Sequence, residues 1–151
     1  MVDQKDVRGT LQELIETCRD GQNGFRDAAE HTKDTEIRSF FMEQSLERAR
    51  FAGELEGLIR EFGESNPDRT GSVAGALHRK WFDTKVALGG GDHTILESAE
   101  QGEDSAKKAY EKALNASLPV NVLEVVRRQA ESVRAAHDQV KLLRDRLKKA
   151  A

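Results

Sequence analysis

Apolar residues recur at spacings of three and four in four long stretches of this chain, the spacing that gathers side chains on one face of an α-helix. In the first stretch, from about Asp3 to His31, the face carries Val7, Leu11, Leu14, Cys18, Phe25, Ala28 and Ala29. Gly21 and Gly24 interrupt it. Each costs a helix ~1 kcal/mol against alanine, so a close approach by a neighbouring helix is expected there. The second stretch, capped by Asp34 or Thr35, lines up Ile37, Phe40, Phe41, Phe51, Leu55, Leu58, Ile59 and Phe62. The third groups Leu96, Ala99, Ala106, Tyr110, Ala113 and Leu114, and the fourth groups Val122, Val126, Val133, Ala136, Val140, Leu143 and Leu147.

The breaks fix how these helices connect. The first two stretches meet in a short loop, and Leu118-Pro119 separates the last two, so each pair is expected to be an antiparallel neighbour pair. Between the second and third, the segment from Gly63 to Ser72 holds Asn66-Pro67-Asp68 and Gly71, a clear break. Ser72 then opens a shorter helix with Val73, Leu77, Trp81 and Leu88 on one side. Trp81 is expected to pack on the bundle. Phe82, on another face, is expected to be exposed, as a contact for a partner or a homodimer. Gly89-Gly90-Gly91 ends that helix, and Asp92 is the expected N-cap of the next. This triple glycine lacks the Lys-Ser/Thr ending and the preceding strand of a phosphate loop. A four-helix bundle with one long helical crossover is the ferritin-like arrangement, whereas simple up-down bundles have only short loops. The fold class read from the pattern is therefore all-α, with residues 1–151 as a single domain.

Composition narrows the function classes. Hydrophobic residues make up 37% and charged residues 34%, which suits helices with one buried stripe and a charged outer face. The 24 basic and 27 acidic residues are interspersed, so the basic face of a phosphate-tracking protein is not expected, nor is nucleic-acid binding. No apolar run approaches the roughly 20 residues of a membrane span. No signal-peptide pattern precedes the first helix, so a cytoplasmic location is expected. The lone Cys18 has no partner for an internal disulfide and is expected to pack as a small hydrophobe.

Particular residue runs carry a family likeness. Leu14-Ile15-Glu16-Thr17-Cys18-Arg19-Asp20-Gly21, followed by Gly24-Phe25-Arg26-Asp27-Ala28-Ala29-Glu30, resembles the first helix of a bacterial family of ferritin-like four-helix-bundle proteins known as a domain of unknown function. Arg48-Ala49-Arg50-Phe51-Ala52, Gly75-Ala76-Leu77-His78-Arg79, Gly102-Glu103-Asp104, Gln129 and His137-Asp138 extend the likeness over nearly the whole chain. The resemblance implies the ferritin-like fold and implies no activity. Related folds include iron-storage proteins and di-iron oxidases, an analogy of fold alone.

Di-iron bundles need inward Glu from two helices and Glu-x-x-His from the other two, about six ligands in all. At 100° per residue, Glu13, Glu16, Asp20, Asp27 and Glu30 point away from the apolar stripe of the first helix. Glu43, Glu47 and Glu54 lie beside or behind the second stripe, and no Glu-x-x-His occurs. The inward ligands come to Glu103 and, on a flank, His137. No metal or other cofactor is expected. What the stripes do hold is a polar layer of Gln44, Arg48, Glu103 and Gln129, with Cys18 at similar height. An unpaired charge there would cost several kcal/mol, so Arg48 and Glu103 are expected to pair, with the two amides supporting them.

The layer reads either as a structural network that fixes helix register or as a remodelled site for a small polar or anionic ligand. No residue is assigned a catalytic role. The function reading is a non-enzymatic ferritin-like bundle acting as a binding or assembly module. The alternative is a metal-dependent oxidoreductase or iron-handling protein with a degenerate site.

Overall fold

The structure, a computed structural model, describes residues 3–64, 66–67, 70–87 and 89–150. The side chains of Trp81, Phe82, Thr84, Lys85, Ala87, Lys149 and Ala150 lie outside that description, as do Asp68 and Leu88. The expectations that Trp81 packs inward and that Phe82 faces a partner therefore fall outside the described residues. The described chain forms α1 (Gln4–His31), α2 (Thr35–Glu61), α3 (Val73–Ala87), α4 (Asp92–Leu114) and α5 (Val120–Ala150), with no strand among the described residues. No described helix is long and apolar enough to cross a membrane.

The apolar stripes sort into two clusters, and the clusters give the helix directions. One contains Leu11, Leu14, Leu55, Ile59, Ala113, Val122 and Val126. The other contains Phe25, Phe41, Ile95, Leu96, Val140 and Leu143. Thus α1 and α5 run from the first cluster to the second, while α2 and α4 run the opposite way. Helix α1 packs on α2 and α4, and α5 packs on α4 and α2, which leaves α2 and α4 diagonally opposed. Because α2 ends where α4 does not begin, the chain must travel back along the bundle. Helix α3, at 15 residues or about 22 Å, makes that return over the groove between α1 and α4.

The helix ends follow local chemistry. Asp3 and Asp34 cap α1 and α2 through their carboxylates, which accept from the backbone N–H of Lys5 and Ile37. Helix α2 stops at Phe62, and Gly63 takes φ +97°, a conformation that L side chains rarely adopt. The bonds Gly63 N–H to Arg60 O and Glu64 N–H to Ile59 O then close a Schellman motif. Asp92 departs from expectation. Gly91 is the N-cap residue of α4, without a side-chain bond, and Asp92 is its first helical residue. The Asp92 carboxylate instead accepts from the backbone N–H groups of Lys33 (2.9 Å) and Asp34 (3.0 Å) in the α1–α2 turn. Two backbone donors in a neighbouring loop outcompete the helix's own.

Helix α3 departs further. Of the stripe Val73, Leu77, Trp81 and Leu88, the described side chains of Val73 and Leu77 are 77% and 62% exposed. A polar anchor sets the orientation of the helix instead. The Asp20 carboxylate on α1 accepts from Ser72 N (2.8 Å) and Ser72 Oγ (2.6 Å), and Ser72 Oγ accepts from Gly75 N (2.9 Å). A Cβ on Gly71 or Gly75 would fall 2.3 or 2.2 Å from Asp20 Oδ1, so both positions must be glycine for the anchor to form.

Asp20→Ala should release α3 while leaving the four-helix body intact. Hydrogen exchange across Val73–Ala87 is expected to accelerate about tenfold, in line with the loss of roughly 1.4 kcal/mol of charge-assisted hydrogen bonding. Unchanged protection of that segment would show that the anchor does not hold it.

Candidate ligand site and polar core

Between the two apolar clusters lies a layer of polar side chains on facing helices. Arg48 rises from α2, crosses to α4 and meets Glu103 in a bidentate pair, Nη1 to Oε1 at 2.8 Å and Nη2 to Oε2 at 2.5 Å. The residues are 1% and 2% exposed. Burial works against the guanidinium's charge, but the charge and hydrogen bonds of Glu103 outweigh it and hold the Arg48 pKa above its ordinary value. The side chain passes over α1 at Gly21, where a Cβ would stand 2.9 Å from Nη1 and 3.2 Å from Cγ. That contact gives the first interruption in the α1 stripe a cause. The Phe25 ring lies beneath the guanidinium, 5.2 Å from centroid to Cζ.

Gln129 makes its hydrogen bonds elsewhere. Its Oε1 accepts from Tyr110 Oη (2.7 Å), and its amide N–H groups go to Phe51 O and Glu54 Oε1, both at 3.3 Å. Those two acceptors fix which end of the amide faces Tyr110. Because the phenol proton is given to Gln129, the thiol of Cys18 is the donor in its 3.0 Å contact with Tyr110 Oη. The result is a second, neutral chain running Cys18, Tyr110, Gln129. Beyond it Glu54 is paired with Arg128, whose hydrogen bond holds the Glu54 carboxyl below its usual range. Gln44 joins neither group, and its Oε1 is buried without a hydrogen bond. The expected support of Arg48 by both amides is thus replaced by two separate networks. An amide has little to add once the guanidinium and carboxylate have closed on each other.

Burial pushes the Cys18 thiol up to about 11, against a smaller opposing pull from the Tyr110 hydrogen bond. Burial likewise raises Tyr110 well above the ordinary phenol value. His137, on the α5 flank, contacts Asp104 Oδ1 at 2.6 Å through Nε2 and Asp138 Oδ1 at 3.2 Å through Nδ1. One buried acid escaped the sequence reading. Glu56 is 6% exposed and paired with Arg19 at 2.8 Å. It stands four residues after Ala52 and three before Ile59, a stripe-edge position that the helical spacing could have flagged.

The donor set does not fit a di-iron centre. Both oxygens of Glu103 are committed to Arg48, whose own charge opposes a cation beside it. No three His, Cys, Asp or Glu among the described residues converge closely enough to hold a metal ion. The space next to the pair is a cavity of about 350 Å³ bounded by α1, α3 and α4. Gly21, Phe25 and Ala28 form one wall, Ile95, Ala99 and Ala106 another, and Gly75, His78 and Arg79 of α3 roof it. Glu103 lies in its wall. None of the α3 residues was singled out from sequence as a site residue.

A helical bundle with a helical crossover and a side-chain cluster between facing helices defines the ferritin-like class. A two-domain protein from Anabaena variabilis, containing DJ-1/ThiJ/PfpI-like and ferritin-like domains, is similar to this chain with a TM-score of 0.78 at 13% identity. The match covers 99% of this chain and 39% of that one, so the chain spans well under half of that protein's length. At sequence level, the family described as domain of unknown function (DUF2383) matches residues 6–116, and the chain belongs to that family. A comparison with curated proteins finds no match.

Arg48→Met and Glu103→Leu should each destabilise the fold by ~3–5 kcal/mol in urea unfolding, since each strands a buried charge, while the double variant should lose far less than their sum. Near-silent, additive single changes would contradict a buried pair. For Cys18, the raised pKa favours the neutral thiol in the fold. Its contribution to stability is complete below about pH 9 and is lost as pH rises towards 11. Iodoacetamide at about pH 8 should therefore label Cys18 rapidly in denaturant and scarcely at all in buffer, and fast native labelling would contradict its burial.

Proposed function

We propose that this protein is a non-enzymatic, small-molecule-binding member of the ferritin-like class, in which an ion pair stands at the level where di-iron bundles place their metal ligands. The observation that carries this reading is the cavity of about 350 Å³ against Glu103. It lies within the size range of small-molecule sites, roughly 300–1,000 Å³, and is walled mainly by apolar and small side chains. The Arg48–Glu103 pair supports it as a rigid partition. Its charges satisfy each other, so it offers neither a free base nor an open metal position. Cys18 supports the same reading, because a buried thiol with a raised pKa is a poor nucleophile.

Anaerobic titration with ferrous iron, followed by exposure to oxygen, tests the reading. The expected result is no tightly bound stoichiometric iron and no oxidation above the uncatalysed rate. Binding of about two equivalents per chain with rapid oxidation would replace this proposal with an iron-handling one.

A further inference from the structure

Resting on the binding reading above, we infer the chemical class of the ligand: a compact, uncharged, largely apolar molecule carrying one hydrogen-bond-accepting oxygen, held under α3 with that oxygen on Arg79.

The inference comes from asking which polar groups around the cavity are already occupied. Asp20 has both oxygens engaged by Ser72, and Glu103 has both engaged by Arg48. Every carboxylate oxygen in the cavity wall thus already carries a donor, which weakens the case for an ammonium ligand. The hydroxyls of Thr17 and Ser105 donate back along their own helices, to Glu13 O and Gln101 O. Arg79 stands apart from these groups. Its Nη1 is buried and makes no hydrogen bond, and the Asp20 carboxylate stands 3.9 Å from it, beyond bonding distance. Its Nε is 3.8 Å from Asp27. The wall therefore lacks an acceptor for one charged N–H donor, and a buried donor of that kind is costly to leave unpaired.

Charge excludes the simplest acceptor, a carboxylate. Asp20 and Asp27 both stand within 4 Å of Arg79, and Glu103 is already paired with Arg48, so carboxylates exceed guanidiniums in this group. Burial and the nearby Asp83 carboxylate raise the Asp27 pKa, in keeping with that excess. An anionic ligand would enter against it. A carbonyl, ether or ester oxygen can accept from Arg79 without adding charge. The remaining surface, Phe25, Ala28, Ile95, Ala99 and Ala106, suits an apolar body, and the glycines at 21, 24, 75 and 102 leave it room.

Two of those glycines also supply a control. A Cβ at Gly24 or Gly102 meets nothing within 4 Å, so a side chain added at Gly102 enters open space beside the cavity rather than a packed contact. Four ring compounds of matched size serve as probes, namely acetophenone, ethylbenzene, benzoate and benzylamine, each titrated into the full chain and followed by heteronuclear NMR. Acetophenone is expected to bind about tenfold more tightly than ethylbenzene, with shifts confined to residues of α1, α3 and α4 around the cavity. Arg79→Met should erase that preference while ethylbenzene binding persists. Gly102→Leu should abolish binding of both with the circular dichroism spectrum and urea midpoint preserved. If benzoate or benzylamine binds most tightly and Gly102→Leu blocks it, the cavity reading stands and the ligand class assigned here is wrong. If no probe binds, or binding survives Gly102→Leu, both fall.

Discussion

Arg48 starts on α2 and ends against Glu103 on the diagonally opposite α4, and a charge carried that far into apolar surroundings dictates what its neighbours are. The long side chain must pass α1, so α1 has no Cβ at residue 21. The guanidinium must rest on something weakly polar, and the Phe25 ring lies there. The apolar core divides into two clusters on either side of this layer, and Arg48 Nε stays buried without a hydrogen bond. A pair of this kind is weak evidence for added stability, since an apolar replacement often does as well. Its value to the fold is register: α2 and α4 share no direct backbone packing, and the bidentate fork admits only one relative height.

The neutral chain of Cys18, Tyr110 and Gln129 does similar positioning at lower cost. It links α1, α4 and α5, while the ion pair links α2 and α4. Each helix of the body thus reaches at least one polar contact in the interior. Such contacts are directional in a way that leucine packing is not, which restricts the bundle to one arrangement of its helices.

Much of this was legible in the sequence because it is written in helical period. Arg48 and Glu103 stand on the midline of apolar stripes, where a charge is conspicuous, and Gly21 marked a close approach before its partner was known. What the period does not carry is pairing across long separations. Gln129 was visible as inward, but its preference for Tyr110 depends on the depth at which α4 and α5 meet. Gln44 was visible on the same grounds and bonds to neither network. Val73 and Leu77 of α3 are exposed despite their apolar spacing, and a single carboxylate on α1 holds Ser72 beside the glycines. Arg79 became a feature of the cavity only through that orientation.

The bond pattern of Asp92 bears on the order in which the chain assembles. Three residues join α1 to α2, so that hairpin closes with little loss of loop entropy. Its turn nevertheless holds two backbone N–H groups, on Lys33 and Asp34, whose acceptor lies 59 and 58 residues further along. Those groups stay with water until the crossover has been threaded and α4 arrives. The hairpin is local in sequence, yet one corner of it depends on α4. Docking of α4 is the non-local event that completes it.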